Sequence, residues 1–131
     1  MSSLLDTSIV VRYLTGDSPE LAEKAALIID GEERLQVTDV VLTETAYVLT
    51  SVYKIPRSVV VDHLMAFLQK ENIFVFALDK GLVLQALLLC KPSGRVSFAD
   101  AMVWAAARSS ESKMVYTLDE RFPSDGLEIR D

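Results

Sequence analysis

Cysteine and histidine, which form disulfides and many metal or catalytic sites, are scarce in this sequence. Its 131 residues include one cysteine and one histidine. A single cysteine excludes a disulfide framework and a metal site made of several thiolates within the chain. Cys90 ends the apolar run VLQALLLC, so we expect a small buried side chain rather than a nucleophile. His63 is the lone histidine, which excludes a nuclease mechanism based on paired histidines.

Several common sequence signals are also missing. The chain lacks G-x-S-x-G, G-x-x-x-x-G-K-[ST] and G-x-G-x-x-G, the usual signatures of hydrolases, NTPases and dinucleotide-binding proteins. No window approaches the ~18 uninterrupted apolar residues that a membrane span needs. The opening MSSLLDTS has no basic region ahead of a long apolar run. We therefore expect a cytoplasmic protein that does not enter the membrane.

Positive charge is in deficit. The chain has 13 Lys and Arg against 19 Asp and Glu, a formal net charge of −6. This balance argues against nonspecific affinity for nucleic acid, because cations must replace the counterions of the phosphate backbone. An acidic domain can still line one groove with Arg and Lys while its acids collect a metal ion. The charge therefore does not exclude a nuclease.

Short apolar runs alternate with amphipathic segments along the whole chain, and 50% of the residues are hydrophobic. The predicted strands are SLLD, RLQV, IFVFAL and MVYTL, and GLEIRD is a further candidate. Strands that are nearly all apolar and separated by helices indicate a parallel sheet covered on both faces. We predict one α/β domain over residues 1–131, a three-layer α/β/α sandwich with a central, mostly parallel sheet.

Capping signals predict where helices begin. Ser18 can cap a helix with Pro19 at its first position, although Leu21 stands where a full capping box has an acid or Gln. Thr38 or Asp39 is predicted to cap the helix that follows RLQV.

Four acids are predicted to lie near the carboxyl ends of the strands, where ligands bind in such sheets. Asp6 closes the first strand, and Asp119 follows MVYTL. Glu44 lies in the helix after the second strand, and Asp100 lies in the first turn of the helix SFADAMVW. Structural alternatives are helix capping for Asp6 and Asp100, a turn for Asp119 and an arginine partner for Glu44.

Glu44 is the hardest acid to explain by local structure. Within VVLTETAYVL it has apolar residues one turn before and one turn after it. An acid among apolar side chains costs free energy unless it is paired or bound to a cation. We therefore expect Glu44 and, more mildly, Asp100 to point inward. Gathered carboxylates repel one another, and a hard cation such as Mg²⁺ or Mn²⁺ is the simplest way to neutralise them.

These motifs resemble those of a known family. LLDTS, LTETAYVL, SFADAMVWAAA and YTLDERF match, in order and spacing, the acidic motifs of PIN-domain ribonucleases, and are most similar to the VapC-type toxins of prokaryotic toxin–antitoxin pairs. The resemblance implies an endoribonuclease dependent on Mg²⁺ or Mn²⁺. The metal would be held chiefly by Asp6 and Asp100, with Glu44 and Asp119 completing the acidic cluster directly or through water. Cleavage would leave a 5′-phosphate and a 3′-hydroxyl.

The resemblance also implies supporting groups and partners. Thr117, just before the last acid, matches a position whose hydroxyl helps to order the site, and Ser8 is assigned a supporting role. A homodimer and a small antitoxin are implied, the latter laying a segment into a hydrophobic groove and a basic side chain into the acidic site. Candidate contacts to the RNA substrate, chosen because they lie near the acidic motifs, are Arg12, Arg95, Arg108, Lys113 and Arg121.

Two other functions remain open. A catalytically inactive PIN-like binding module would also explain the strongly apolar helices SPELAEKAALIID and DVVLTETAYVLTSVYKI. An aspartate-based phosphatase could use Asp6 at the end of the first strand. Such enzymes commonly have a second Asp two residues later, where this chain has Ser8.

Overall fold

Helices and strands alternate in the computed structural model, which describes residues 2–131. The strands are β1 (Ser3–Leu4), β2 (Leu35–Val37), β3 (Ile73–Val75), β4 (Met114–Tyr116) and β5 (Glu128–Arg130). The helices are α1 (Thr7–Thr15), α2 (Pro19–Ile29), α3 (Asp39–Ser51), α4 (Arg57–Leu68), α5 (Lys80–Cys90) and α6 (Phe98–Arg108). The candidate fifth strand is therefore present.

All strand pairs described between residues 2 and 131 are parallel. Ser3 lies opposite Leu35, and Leu35 lies opposite Ile73, which gives the order β1-β2-β3. Met114 lies opposite Glu128 in a separate ladder of β4 and β5. The predicted three-layer α/β/α fold with parallel strands is confirmed. Its strands are only two or three residues long, and their hydrogen bonds form two ladders rather than one continuous sheet.

The hydrophobic core lies between the strands and the helices that cover them. Leu35 and Val37 of β2 are buried, whereas Gln36 between them is partly exposed, because successive side chains of a strand point to opposite faces. Trp104 and Phe67 are the largest fully buried side chains. None of the helices described is long and apolar enough to cross a membrane.

Most helix starts follow the capping signals in the sequence. Thr38, rather than Asp39, caps α3 through a hydrogen bond from the Val41 backbone N–H to its hydroxyl, at 3.1 Å. Pro19 is the first residue of α2, as predicted. The prediction that Ser18 caps this helix is wrong. Its backbone has a φ of 57°, in the left-handed region, and its hydroxyl makes no capping hydrogen bond.

Candidate active site

Asp6 follows β1 and is the N-cap residue of α1. Its Oδ2 accepts hydrogen bonds from the Ser8 hydroxyl at 2.9 Å and from the Ser8 backbone N–H at 3.4 Å. The Ser8 hydroxyl, followed by backbone N–H groups, lowers the pKa of Asp6 below its usual value of 3.8. Asp6 Oδ1 has no hydrogen-bond partner among residues 2–131. Asp6 therefore caps α1 through Oδ2, as the structural alternative predicted, and its Oδ1 remains able to bind a ligand.

Asp119 lies in the turn after β4 and is held in the same way. Its backbone N–H donates to Thr117 Oγ1 at 3.0 Å, and its Oδ1 accepts from the Arg121 backbone N–H at 2.8 Å. The Arg121 N–H bond is the largest cause that lowers the pKa of Asp119. Oδ2 makes no hydrogen bond within the described chain. The turn expected as an alternative is present, and it fixes one carboxylate oxygen while leaving the other accessible.

Asp100 lies in the first turn of α6 and is partly buried. Its backbone N–H donates to the Ser97 hydroxyl at 3.0 Å, so Ser97 rather than Asp100 caps the helix. The Asp100 carboxylate has no hydrogen bond or ion pair to any other part of residues 2–131.

Burial raises the pKa of Cys90 to about 11, and the Asp100 charge acts in the same direction. The thiol is buried, as predicted, and its raised pKa keeps it protonated at neutral pH.

Glu44 does not point inward, and this prediction is wrong. The buried residues of α3 are Leu42, Thr45, Ala46 and Leu49, which form a different face of the helix. Glu44 is exposed, and its apolar neighbours Val40 and Tyr47 are themselves 71% and 64% exposed. The helix is apolar around most of its circumference, so apolar neighbours cannot identify the buried face. No arginine pairs with Glu44 within the described residues, so the alternative of an ion pair is also wrong.

A groove of about 560 Å³ lies between α3 and α6, with Glu44 on its wall. Val40 and Tyr47 line it from α3, and Ala99 and Val103 line it from α6. The sequence analysis named the α3 segment as a possible binding surface, and Val40, Glu44 and Tyr47 recur at the spacing of one helix face, but it did not find the α6 wall of the groove. An exposed apolar groove of this kind is typical of a surface that binds another protein.

The structure does not gather the four predicted acids around one metal position. Residues 2–131 contain no group of three or more His, Cys, Asp or Glu side chains that could hold a metal ion together. Mg²⁺ needs only one or two protein carboxylates, because it retains several waters and also binds substrate phosphates. The free oxygens of Asp6 and Asp100 are the hard donors that such an ion takes. The donor set therefore fits a water-rich divalent site, but not a cage of four carboxylates.

The sequence analysis did not assign site roles to two threonine hydroxyls that neighbour Asp6 and Glu44 in the chain. Thr7 Oγ1, next to Asp6, and Thr45 Oγ1, next to Glu44, are buried and have no hydrogen-bond partner among the described residues. Burying an unpaired hydroxyl costs about 1–3 kcal/mol. Nothing in the sequence distinguishes these threonines from ordinary helical ones, because their burial depends on how α1 packs against α3.

Three of the five predicted RNA-binding cations make contacts within the protein, and Arg121 does so only through Nε, which lies 3.4 Å from Asp119 Oδ1. Arg12 pairs with Asp17 at 3.1 Å, and the Tyr53 hydroxyl donates to the same carboxylate oxygen at 2.9 Å. The Arg108 guanidinium lies over the Trp104 ring, 5.2 Å from its centroid. These contacts give Arg12 and Arg108 structural roles at the surface.

The family model of the PIN domain matches residues 3–124, which include all four acids. Neither a curated protein nor a solved structure matches this chain. The matched segment begins at β1 and extends beyond β4, so it contains the elements that position Asp6, Glu44, Asp100 and Asp119. The chain therefore belongs to the PIN-domain family.

Proposed function

We propose that this protein is a metal-dependent endoribonuclease that acts as the toxin of a toxin–antitoxin pair. PIN domains are in general nucleases that use divalent metal ions. The main support within this chain is that Asp6 and Asp119 are each fixed through one carboxylate oxygen while the other oxygen has no hydrogen-bond partner among residues 2–131. Carboxylates held in this way are ready to bind a cation or to orient a water without further ordering.

Asp6 and Asp100 are the proposed principal ligands of Mg²⁺ or Mn²⁺, and Glu44 and Asp119 contribute directly or through water. When bound, such an ion lowers the pKa of a coordinated water and neutralises charge on the attacked phosphate. Ser8 keeps the Asp6 carboxylate oriented through the 2.9 Å hydrogen bond from its hydroxyl. The lowered pKa of Asp6 keeps its carboxylate ionised, the state that binds cations, to a lower pH than an unperturbed Asp.

A carboxylate that is not fully committed to the metal can orient or deprotonate the attacking water, and Glu44 or Asp119 takes this role. Thr117 and the Arg121 backbone N–H fix Asp119 on one side and leave Oδ2 free to accept a hydrogen bond from the attacking water. Because its pKa is lowered, Asp119 is better suited to orient the water than to remove its proton. Attack on an RNA phosphodiester would then leave a 5′-phosphate and a 3′-hydroxyl.

The groove between α3 and α6 is the proposed binding surface for the antitoxin. It is apolar apart from Thr43 and two acids, Asp39 and Glu44. Glu44 has no cationic partner within residues 2–131, so a peptide with apolar anchors and one Lys or Arg would complement it. The proposed homodimer uses another surface, since α2 exposes Leu27 at 74% together with Leu21 and Ile28.

The same groove supports a second candidate function, a PIN-like module that binds a protein partner and lacks catalysis. An apolar groove serves a binding module as well as an inhibited enzyme, so catalysis must be tested directly. No observation favours the aspartate-based phosphatase, because the position of its second Asp holds Ser8, whose hydroxyl bonds to Asp6.

The deciding experiment is cleavage of a single-stranded RNA by the purified protein in Mn²⁺. Asp6→Asn and Asp100→Asn should each abolish cleavage without unfolding the protein, because both lose a charged metal ligand. Asp62→Asn is the matched control, since Asp62 is an exposed α4 acid paired with Lys91 at 2.8 Å. It should cleave like the wild type. Full activity in both site variants would contradict the assignment, and an inactive wild type would favour the binding module.

A further inference from the structure

The turn after β4 holds an arginine against a predicted site acid. Arg121 Nε lies 3.4 Å from Asp119 Oδ1, the oxygen that also accepts from the Arg121 backbone N–H at 2.8 Å. The side chain of Arg121 is 65% exposed, and neither of its Nη groups has a partner among residues 2–131. Asp119 thus holds the Nε side of the guanidinium and leaves its terminal donors accessible.

A second arginine with a free side chain lies in the loop before α6. Arg95 belongs to the loop between α5 and α6, where its backbone N–H donates to the Ser93 hydroxyl at 3.2 Å. Its side chain makes no hydrogen bond or ion pair with the rest of the described chain. The Arg121 backbone N–H is the largest cause that lowers the pKa of Asp119, and the positive charge of Arg95 lowers it further. The loop that contains Arg95 leads directly into α6, whose first turn carries Asp100, so Arg95 lies at the start of the helix that holds a proposed site acid.

Five other cations of the protein differ from this pair. Several are engaged by internal contacts, namely Arg12 with Asp17, Arg57 with the carbonyls of Cys90 and Val96, Lys80 with the carbonyls of Lys70 and Ile73, and Arg108 with Trp104. Lys113 is exposed, but it immediately precedes β4, whereas Asp119 follows the opposite end of that strand. Arg95 and Arg121 thus combine free donor groups with a position beside a site acid.

We propose that Arg121 and Arg95 bind phosphate groups of the RNA strand and that Asp119 is the positioning residue for Arg121. This inference rests on the proposed ribonuclease function. A guanidinium binds phosphate through paired N–H donors, and a fixed guanidinium loses less freedom on binding. Contacts of this kind position a strand without reading its bases. They also provide the local positive charge that a chain of net charge −6 otherwise lacks.

The test is binding of a short, fluorescently labelled, single-stranded oligoribonucleotide of mixed sequence, measured by anisotropy in EDTA over a series of NaCl concentrations. Without metal the RNA stays intact, so binding is separated from cleavage. Each lost phosphate contact should reduce the slope of log K against log salt by about 0.7. Arg121→Ala and Arg95→Ala should each show this loss, and Lys113→Ala, the matched control, should keep the wild-type slope.

Asp119→Ala removes the Oδ1 acceptor of both Arg121 hydrogen bonds together with the charge, and it separates positioning from simple charge. The substitution removes a negative charge, so an unspecific electrostatic effect would strengthen RNA binding. If Asp119 positions Arg121, binding weakens several-fold while the salt slope is retained, because the arginine keeps its charge. Tighter binding by this variant would overturn the positioning role, and an equal loss of slope in Lys113→Ala would overturn the arginine pair.

Failure of this inference can be told from failure of the proposed function. A wild-type protein that cleaves RNA in Mn²⁺, with arginine variants that bind RNA normally in EDTA, would overturn the arginine pair alone. A protein that binds RNA through Arg95 and Arg121 without cleaving it would overturn the nuclease proposal and leave the pair standing. A wild-type protein that shows no RNA binding would overturn the pair.

Discussion

Single carboxylates in this protein serve local structure and remain accessible to ligands. Capping and metal binding are competing explanations for Asp6 in the sequence, yet Oδ2 alone accepts the capping hydrogen bonds and Oδ1 has no hydrogen-bond partner among residues 2–131. The same holds for Asp119, whose Oδ1 fixes a turn. The strand ends were visible in the sequence, because apolar runs stop at these acids. The sequence did not show which carboxylate oxygen accepts the hydrogen bonds, because that depends on side-chain geometry within the turn.

The Ser8 hydroxyl should control the ionisation of Asp6. Because the folded-state pKa of Asp6 is lowered, its contribution to stability is present above the unfolded value of about 3.8 and is lost as the pH falls through the folded pKa. Ser8→Ala should therefore lower the melting temperature at neutral pH and raise the Asp6 pKa toward its usual value. The difference from wild type should shrink below about pH 4.

Carboxyl-detected NMR titration of Asp6 and thermal unfolding across pH measure both effects. Ser58→Ala is the control, because Ser58 is exposed in the first turn of α4 and its hydroxyl makes no hydrogen bond within residues 2–131. An unchanged Asp6 pKa in Ser8→Ala would show that this hydrogen bond does not set the ionisation of the site.

At the scale of helices and strands, the sequence located elements better than it located their buried faces. Alternation of apolar runs and capping residues predicted β2, α3 and the Thr38 cap. Strand faces follow from a strict period of two, so the burial of β2 could be predicted. The face of α3 could not, because Val40 and Tyr47 are as apolar as the buried Leu42 and only tertiary packing separates them. That ambiguity produced the wrong placement of Glu44.

Removing the two predicted capping side chains should reduce the free energy of unfolding by different amounts. Thr38→Ala removes a hydroxyl that accepts the Val41 backbone N–H at 3.1 Å, and it should destabilise the protein by about 1 kcal/mol. Ser18→Ala is the matched control, because Ser18 occupies the cap position of α2 without a capping hydrogen bond. It should change stability by only a few tenths of a kcal/mol. Urea unfolding at constant pH measures both, and equal losses would contradict the structural account of these caps.

For the whole molecule, the family and the fold were readable from the order of the acidic motifs on an alternating α/β chain. The arrangement of the acids in space could not be predicted from the sequence. Asp6, Glu44 and Asp100 come from distant parts of the chain, and their separations depend on how α1, α3 and α6 pack. No three of these carboxylates form a joint metal site within residues 2–131, whereas the sequence suggested a four-acid cluster.

The exposed face of α2 makes the oligomeric state testable. If the proposed homodimer forms through Leu21, Leu27 and Ile28, then Leu27→Glu should convert it to a monomer, because two like charges would be buried at the interface. Light scattering coupled to size-exclusion chromatography measures the mass. Gln85→Glu on the exposed side of α5 adds the same charge elsewhere and should leave the dimer intact. A wild-type monomer would contradict the dimer, and a dimer of Leu27→Glu would contradict this interface.

The most direct test of a metal-dependent nuclease is isothermal titration with Mn²⁺ of the purified protein, stripped of metal and free of any partner. Asp100→Asn is compared with the wild type, because the Asp100 carboxylate has no hydrogen bond or ion pair within residues 2–131 and is a proposed principal ligand. We predict binding in the wild type and its loss in the variant, with both proteins folded. A folded wild-type protein that binds no Mn²⁺ would contradict the account and identify a partner-binding module whose acids serve only as caps and turns.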